Sequence, residues 1–477
     1  MIKQIFIGFW FLIGLTAFSQ EIVSTLPLNL KKNRDVFQTV NSDKKEVTLF
    51  ISDKTNVKAI QFDEKTQVID SMSAERPNTK TYTNMIGYNL SDKNTRLFWS
   101  SNDYKNILSQ LYDFKSRKTE TKEFSLNLKD EKVLQKFSEN DFFYVLTVIK
   151  NSNNFKLYVF DNDGNYIEKV INLRLFTFYE SNNYISDLYG VFRENLLPFE
   201  APFSLELINS ENPSSLTAAA KKRKCYQEDK KIIITLDTNS EFTQIITIDL
   251  KDFTTTEKRI KTSNIEEERI FVNSNSFYSK SRLYQIKSSP KLFYFTIKDL
   301  EGNLVKEYVA TSTQPIDFKN SEVSQQGGEF GGKRVLENSS QFIRKLNNLK
   351  AGITSYTTAT NNVVTFGGVS AAQQTGLQAG LGQFGLIGAL VSIAVYNPTL
   401  DSFNSYANRK VVKTEGLFDA NGNHIKGDLE PLAFDKIRDF LEKNKDFSSQ
   451  TLFKTDAYYL GYYDNKAKEY IVRKFID

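Results

Sequence analysis

Catalysis needs particular side chains, and this chain of 477 residues is short of the most versatile ones: it has one cysteine, Cys225, and one histidine, His424. A lone cysteine excludes an intramolecular disulfide framework and every zinc site built on clustered thiolates. A lone histidine leaves one imidazole base and no His-rich metal site. Cys225 follows four cations, Lys221, Lys222, Arg223 and Lys224. Adjacent positive charge favours thiolate, but no histidine lies nearby in sequence to act as its base. The run reads as a solvated surface loop, with a polyanion contact as the alternative. His424 stands directly after a turn sequence, and a Ser-His-Asp relay would need partners brought from elsewhere. Asp161 and Asp163 in Asp-Asn-Asp-Gly resemble the start of a calcium loop but lack its third acidic position and its distant Glu. The glycines and lysine of GGEFGGKR, residues 327–334, lack phosphate-loop spacing and read as a flexible loop. Carboxylate pairs could still meet at a channel mouth, as in glycosidases, yet the spacing of the 57 acids singles out none. No catalytic residue, metal ligand or cofactor is assigned, and binding residues stay open.

The elements that must position such groups are strands. VTLFI (47–51), RLFW (96–99), FFYVLTVI (142–149), KLYVF (156–160), IIITL (232–236), QIITIDL (244–250) and LFYFTI (292–297) are β-branched and aromatic runs bounded by Asn, Asp, Ser and Gly. One unit recurs, in which an apolar strand enters an acidic turn and a more polar strand leaves it. Residues 156–170, 294–308 and 414–428 are close copies, with Gly164, Gly302 and Gly422 supplying the positive φ of a tight turn. Four looser copies share the layout. The turn acids are Asp63, Asp113, Asp161, Asp249, Asp299, Asp419 and Asp464, and four of the six intervals between them are 45–50 residues, about the length of a four-stranded propeller blade.

These hairpins make the chain similar to the β-propeller superfold. The resemblance implies an all-β fold of about seven four-stranded blades over residues 20–477, with six or eight blades or tandem β-sandwiches as alternatives. There is no Trp-Asp dipeptide or kelch-type glycine pattern to name a family within it. Residues 21–30 could supply a strand that closes the ring. Two long intervals between turn acids imply insertions at about 173–230 and 371–408. The first begins at 173–192 as an outer-to-inner strand region and, after a Pro- and Ser-containing stretch, is expected as a surface loop through PSSL (213–216) and KKRKCYQEDKK (221–231), with the repeat resuming at Lys231. In the second interval, SSQFIRKL (339–346), 361–370 and 409–423 are read as strands of one blade, and 371–408 as inserted between neighbouring strands. Residues 351–400 carry no charge at all. At a background of 25% charged residues, chance gives this on the order of once in a million windows. Residues 430–445 form the best helix, with Pro431 in its first turn and Leu432, Ile437, Phe440 and Leu441 along one stripe.

Residues 1–19 have the form of a secretory signal: Lys3, an apolar stretch from Ile5 to Thr16, then Ala17 and Ser19 before Gln20. The stretch is shorter than the roughly 20 residues of a membrane span. Export without disulfides suits a bacterial envelope. The net charge of +5 arises from 62 basic and 57 acidic residues, interspersed, and gives no electrostatic footprint for nucleic acid. The expectation is an exported, non-enzymatic propeller, periplasmic, outer-membrane-associated or secreted. Its expected partner is another envelope or extracellular protein, met through one face or through 371–396. The alternatives are a propeller-type polysaccharide hydrolase or lyase and a structural subunit of an envelope assembly. Membrane contact through 371–396 is disfavoured, because its apolar run is short and lacks a basic face. Oligomeric state stays open.

Overall fold

The computed structural model describes residues 20–29, 35–41, 44–91, 94–139, 141–181, 183–265, 272–327, 332–371, 409–444 and 447–477. The signal-like segment 1–19 and nearly all of the 371–408 insertion lie outside them. The fold is all-β and of propeller type, with a four-stranded antiparallel sheet recurring along the chain. We number the sheets 1 to 7. The β-branched and aromatic runs at 47–51, 96–99, 142–149, 156–160, 232–236 and 292–297 each lie within a strand of one of them, and the run at 244–250 overlaps Phe242–Asp249.

The described residues form two compact units, one comprising the chain up to Arg76 with Glu430–Asp477, the other Pro77–Leu429. In the first unit, sheet 1 orders Gln20–Pro27, Glu469–Phe475, Tyr458–Asp464 and Ser448–Lys454. Residues 20–27 do form a strand, which pairs with Glu469–Phe475, Gln20 lying opposite Phe475. Sheet 2 runs Asp35–Asn41, Glu46–Ser52, Asn56–Phe62 and Val68–Glu75. The two share a core that includes Leu49, Ile60, Tyr463, Tyr470 and Val472.

In the second unit, sheet 3 comprises Asn84–Leu90, Asn94–Ser100, Asn106–Asp113 and Lys118–Ser125, and sheet 4 comprises Glu131–Glu139, Phe142–Ile149, Asn154–Phe160 and Tyr166–Asn172. Sheet 5 has Arg223–Glu228, Lys231–Leu236, Phe242–Asp249 and Thr255–Lys261, with Glu206–Ile208 added in parallel to its first strand. Sheet 6 has Asn273–Ser279, Arg282–Ser288, Leu292–Asp299 and Leu304–Thr311. Middle strands such as Phe142–Ile149 are buried on both faces, which is why they read as unbroken apolar runs, while last strands such as Lys118–Ser125 are mostly exposed.

Sheet 7 departs from the pattern. Lys350–Thr357, Asn362–Val369 and Val411–Phe418 pair in order, but the returning strand is only His424–Ile425. The rest of that edge is taken by Ser324–Gln326, itself paired with Lys333–Val335. Residues 361–370 and 409–423 contain strands as expected, and the two strands flanking 371–408 are hydrogen-bonded neighbours. SSQFIRKL is a helix instead, within Ser339–Asn348. Its buried residues Phe342, Ile343 and Leu346 follow helical spacing and pack into the core of sheets 6 and 7. Three other helices are Leu188–Arg193, Leu216–Ala219 and Ala433–Lys443. The last is the predicted C-terminal helix; Pro431 sits just before its cap rather than inside it, and the Asp435 carboxylate accepts the Leu432 N–H at 3.1 Å.

All seven turn acids do the same work. Each Oδ1 accepts backbone N–H groups two to four residues on: Gln67 for Asp63, Ser116 for Asp113, Asn165 for Asp161, Lys251 for Asp249, Asn303 for Asp299, Asn423 for Asp419 and Ala467 for Asp464. Every hairpin also has one left-handed residue. Gly164, Gly302 and Gly422 fill that place in three of them, and Thr66, Arg117, Phe253 and Lys468 in the rest.

A second repeated device joins successive sheets of the larger unit. A lysine on the last strand of one sheet meets the hairpin of the next. Lys122 donates to the Asp163 carbonyl at 2.5 Å, and Lys169 lies 5.6 Å from the Phe253 ring centre. Lys258 pairs with Glu301 at 2.5 Å, and Lys306 donates to Asn423 Oδ1 at 2.9 Å.

Candidate functional site

The cationic run at 221–224 is not a solvated loop. Arg223, Lys224 and Cys225 open the first strand of sheet 5 and are buried. Strand alternation sends Lys222 and Lys224 to one face and Arg223 to the other. Lys224 Nζ donates to Asp237 Oδ2, Asn275 Oδ1 and the Lys221 carbonyl, each at 2.7 Å. Asp237 also accepts Thr243 Oγ1 at 2.7 Å and Ser276 Oγ at 2.9 Å. Burial raises the Asp237 carboxyl, but the Lys224 and Lys222 charges and these hydrogen bonds outweigh it and hold it below the usual carboxylate range. Lys222 Nζ donates to the Ser274 carbonyl at 2.5 Å, and burial brings this ammonium down to about 8.

On the opposite face, Arg223 Nε pairs with Glu200 Oε1 at 2.6 Å. Its Nη1 donates to the Val191 and Phe192 carbonyls at 3.0 and 2.7 Å, and its Nη2 to the Ala201 carbonyl at 2.9 Å. Val191 and Phe192 belong to the Leu188–Arg193 helix, whose C-terminal carbonyls have no partners within the helix. The run therefore ties sheet 5 to sheet 6 on one face and to the 188–201 segment on the other. The repeat resumes at Arg223, not at Lys231. Arg223 and Lys224 can be buried here, and Lys221 and Lys222 half-buried, because each has specific acceptors, the Phe199 carbonyl taking the Lys221 ammonium at 2.5 Å.

Cys225 is fully buried, opposite Ile234 in the sheet and within the core cluster shared by sheets 4 and 5, and burial pushes its thiol well above the ordinary range, so the neighbouring lysines do not produce a thiolate. His424 lies in the truncated strand of sheet 7. Its Nε2 is 2.9 Å from Asn320 Oδ1, its N–H donates to Tyr308 Oη, and its ring lies 5.7 Å from Phe418. Desolvation lowers its pKa. Among the described residues no nucleophile and no carboxylate is hydrogen-bonded to this ring. Asp161 and Asp163 belong to a hairpin gripped by sheet 3: Asn89 donates to the Asp161 carbonyl at 2.7 Å and Arg96 to the Asn162 carbonyl at 3.1 Å. Their neighbourhood supplies cations, which opposes a calcium site. The GGEFGGKR segment links two paired strands, Gly327 N–H donating to the Gly332 carbonyl at 3.1 Å; a phosphate loop would need a helix on one side. Among the described residues no group of three or more His, Cys, Asp or Glu could hold a metal ion.

Sequence reasoning missed Glu200, Asp237, Asn275 and Ser276. The signal available was the strand Asn273–Ser279, whose Asn-Ser-Asn-Ser is too polar for a strand buried along its whole length unless it meets buried polar partners.

No family model matches this chain, and no curated protein matches it. Solved structures do. Cobalt-substituted apocarotenoid oxygenase from Synechocystis aligns at 7% identity and a TM-score of 0.29, over 61% of this chain and 63% of that one. A prolyl endopeptidase aligns at 8% and 0.33, over 94% of this chain and 46% of that one. The SapL1 lectin, solved with alpha methyl fucoside, aligns at 10% and 0.23, over 71% and 93%. This chain thus spans less than two thirds of the oxygenase and under half of the endopeptidase. Likeness at this level assigns no activity, and the fold rests on the sheets themselves.

Proposed function

We propose that this protein is an exported, non-enzymatic β-propeller of the bacterial envelope that binds a partner protein. The observation that carries the reading is the fate of the cationic run. Its ammonium and guanidinium groups are all engaged in bonds that hold the scaffold together, and the thiol and the imidazole are both engaged in packing. Export is supported by the signal-like residues 1–19.

The test has two arms. Cell fractionation of a C-terminally tagged chain, with N-terminal sequencing, should find the protein outside the cytoplasm beginning at Gln20; cytoplasmic protein retaining Met1 sinks the export reading. Cross-linking in intact cells, followed by reconstitution with the purified cross-linked protein, should yield a defined complex. Release of reducing sugar or unsaturated ends from a panel of envelope polysaccharides would instead make it a hydrolase or lyase.

A further inference from the structure

One end of sheet 7 concentrates positive charge. A single row of strand register there reads Lys350, Val369, Val411, Gln326 and Lys333, from one edge of the sheet to the other. Lys410 directly precedes Val411, and Arg334 follows Lys333. The Ser339–Asn348 helix packs on the same sheet and ends just before Lys350, bringing Arg344 and Lys345. Among the described residues none of these six cations forms an ion pair with a carboxylate, in contrast to the cations of sheet 5. Lys333, Arg334, Arg344 and Lys350 are exposed. The charges surrounding Lys345 are Lys410, Arg334 and Arg344, and they reinforce the desolvation that lowers its pKa.

The same end of the sheet is where residues 372–408 leave and return. Ser370 N–H donates to the Lys410 carbonyl at 2.9 Å, and Lys410 N–H to Ser370 Oγ at 3.0 Å, so the two roots are clamped side by side. The intervening sequence is uncharged up to Asp401 and includes the apolar run from Phe384 to Tyr396. A basic cluster alone fits any polyanion. A basic cluster at the root of an uncharged, apolar stretch fits a surface that is anionic outside and hydrocarbon beneath.

We propose that this end of sheet 7, formed by Lys333, Arg334, Arg344, Lys345, Lys350 and Lys410, docks on an anionic lipid surface. The inference goes beyond partner-protein binding and stands independently of export, because it is read on purified protein. Each cation near such a surface contributes about 1 kcal/mol, so removing four should weaken binding on the order of a hundredfold or more.

The experiment is co-sedimentation of the purified protein with vesicles of phosphatidylcholine alone and with added phosphatidylglycerol. It compares wild type with Arg334→Ala/Arg344→Ala/Lys345→Ala/Lys410→Ala and with the single exposed reversal Arg344→Glu. The proposal expects binding only to the anionic vesicles, weaker at 0.5 M salt than at about 0.1 M, lost in the quadruple variant and reduced several-fold in Arg344→Glu. Equal binding to both vesicles, no binding, or unchanged binding by the variants overturns it. So does binding of soluble polyphosphate without vesicle binding, which would assign a polyanion instead. If the quadruple variant lacks a cooperative thermal transition, the single reversal decides.

Discussion

Asp237 sits between Lys224, Thr243 and Ser276, and removing it would strand a buried ammonium. Asp237→Ala should cost about 3–5 kcal/mol. The double variant with Lys224→Met should recover much of that, because no unpaired charge remains; chemical denaturation of the four species gives the cycle. Lys222 makes a separate pH prediction. Its pKa falls to about 8 on folding, from 10.5, so between those values the unfolded chain holds the extra proton and stability rises with pH. Lys222→Met should flatten that rise between pH 8 and 10, read as the denaturant midpoint against pH. Asp456 shows the opposite limb. Desolvation opposes its ionisation, but hydrogen bonds from Lys474, Tyr459 and Thr455 bring it to about 2. Its contribution is present above pH 4 and is lost as pH falls toward 2, and Asp456→Asn should remove that part of the acid slope. None of these partnerships was legible in the sequence. Asp237, Glu200 and Asn275 lie 13, 23 and 51 residues from the cations they hold, and pairing at such separations is decided by sheet stacking, which leaves no local periodicity.

At the scale of elements the sequence was far more open, because a hairpin is specified within a few residues. The Asp turn and its left-handed position were readable wherever glycine filled it. Thr66, Arg117, Phe253 and Lys468 hid the same geometry, since a non-glycine residue gives no sign of a positive φ. The helix at Ser339–Asn348 was misread because Phe342, Ile343 and Leu346 fit a short apolar run as well as a helical face. The glycine turns differ in what lies beside them. A Cβ on Gly302 (φ +86°) would meet nothing within 4 Å, whereas one on Gly164 (φ +76°) would lie 2.7 Å from the Arg96 guanidinium. Gly302→Ala should cost about 1 kcal/mol of backbone strain. Gly164→Ala should cost about twice that, since Arg96 must also give up its bond to the Asn162 carbonyl; thermal melts of the two variants rank them.

For the whole molecule, the repeat fixed the all-β, propeller-type architecture, and the irregular part is where sequence and structure diverged. The segment between sheets 4 and 5 was legible only as a strand-like start at 173–192 and a surface loop beyond it, because its later part contains Pro, Ser and charge. It instead packs Leu188, Val191, Phe192 and Leu205 into the core of sheets 4 and 5 and surrounds Arg223 with carbonyl groups. Glu200→Ala, which removes one clasp of that segment, should raise its susceptibility to limited proteolysis near 195–215 before the global transition moves, as followed by mass spectrometry of the fragments. The strand Gln20–Pro27 has a different consequence. Its hydrogen-bonding edge is Glu469–Phe475, so during synthesis the first strand must wait, unpaired, until the last one has been made. Sheet 1 is therefore completed only after Glu469–Phe475 has been made. A strand whose partner comes so late in the sequence pairs slowly, and any truncation that removes Glu469–Phe475 leaves Gln20–Pro27 an open edge.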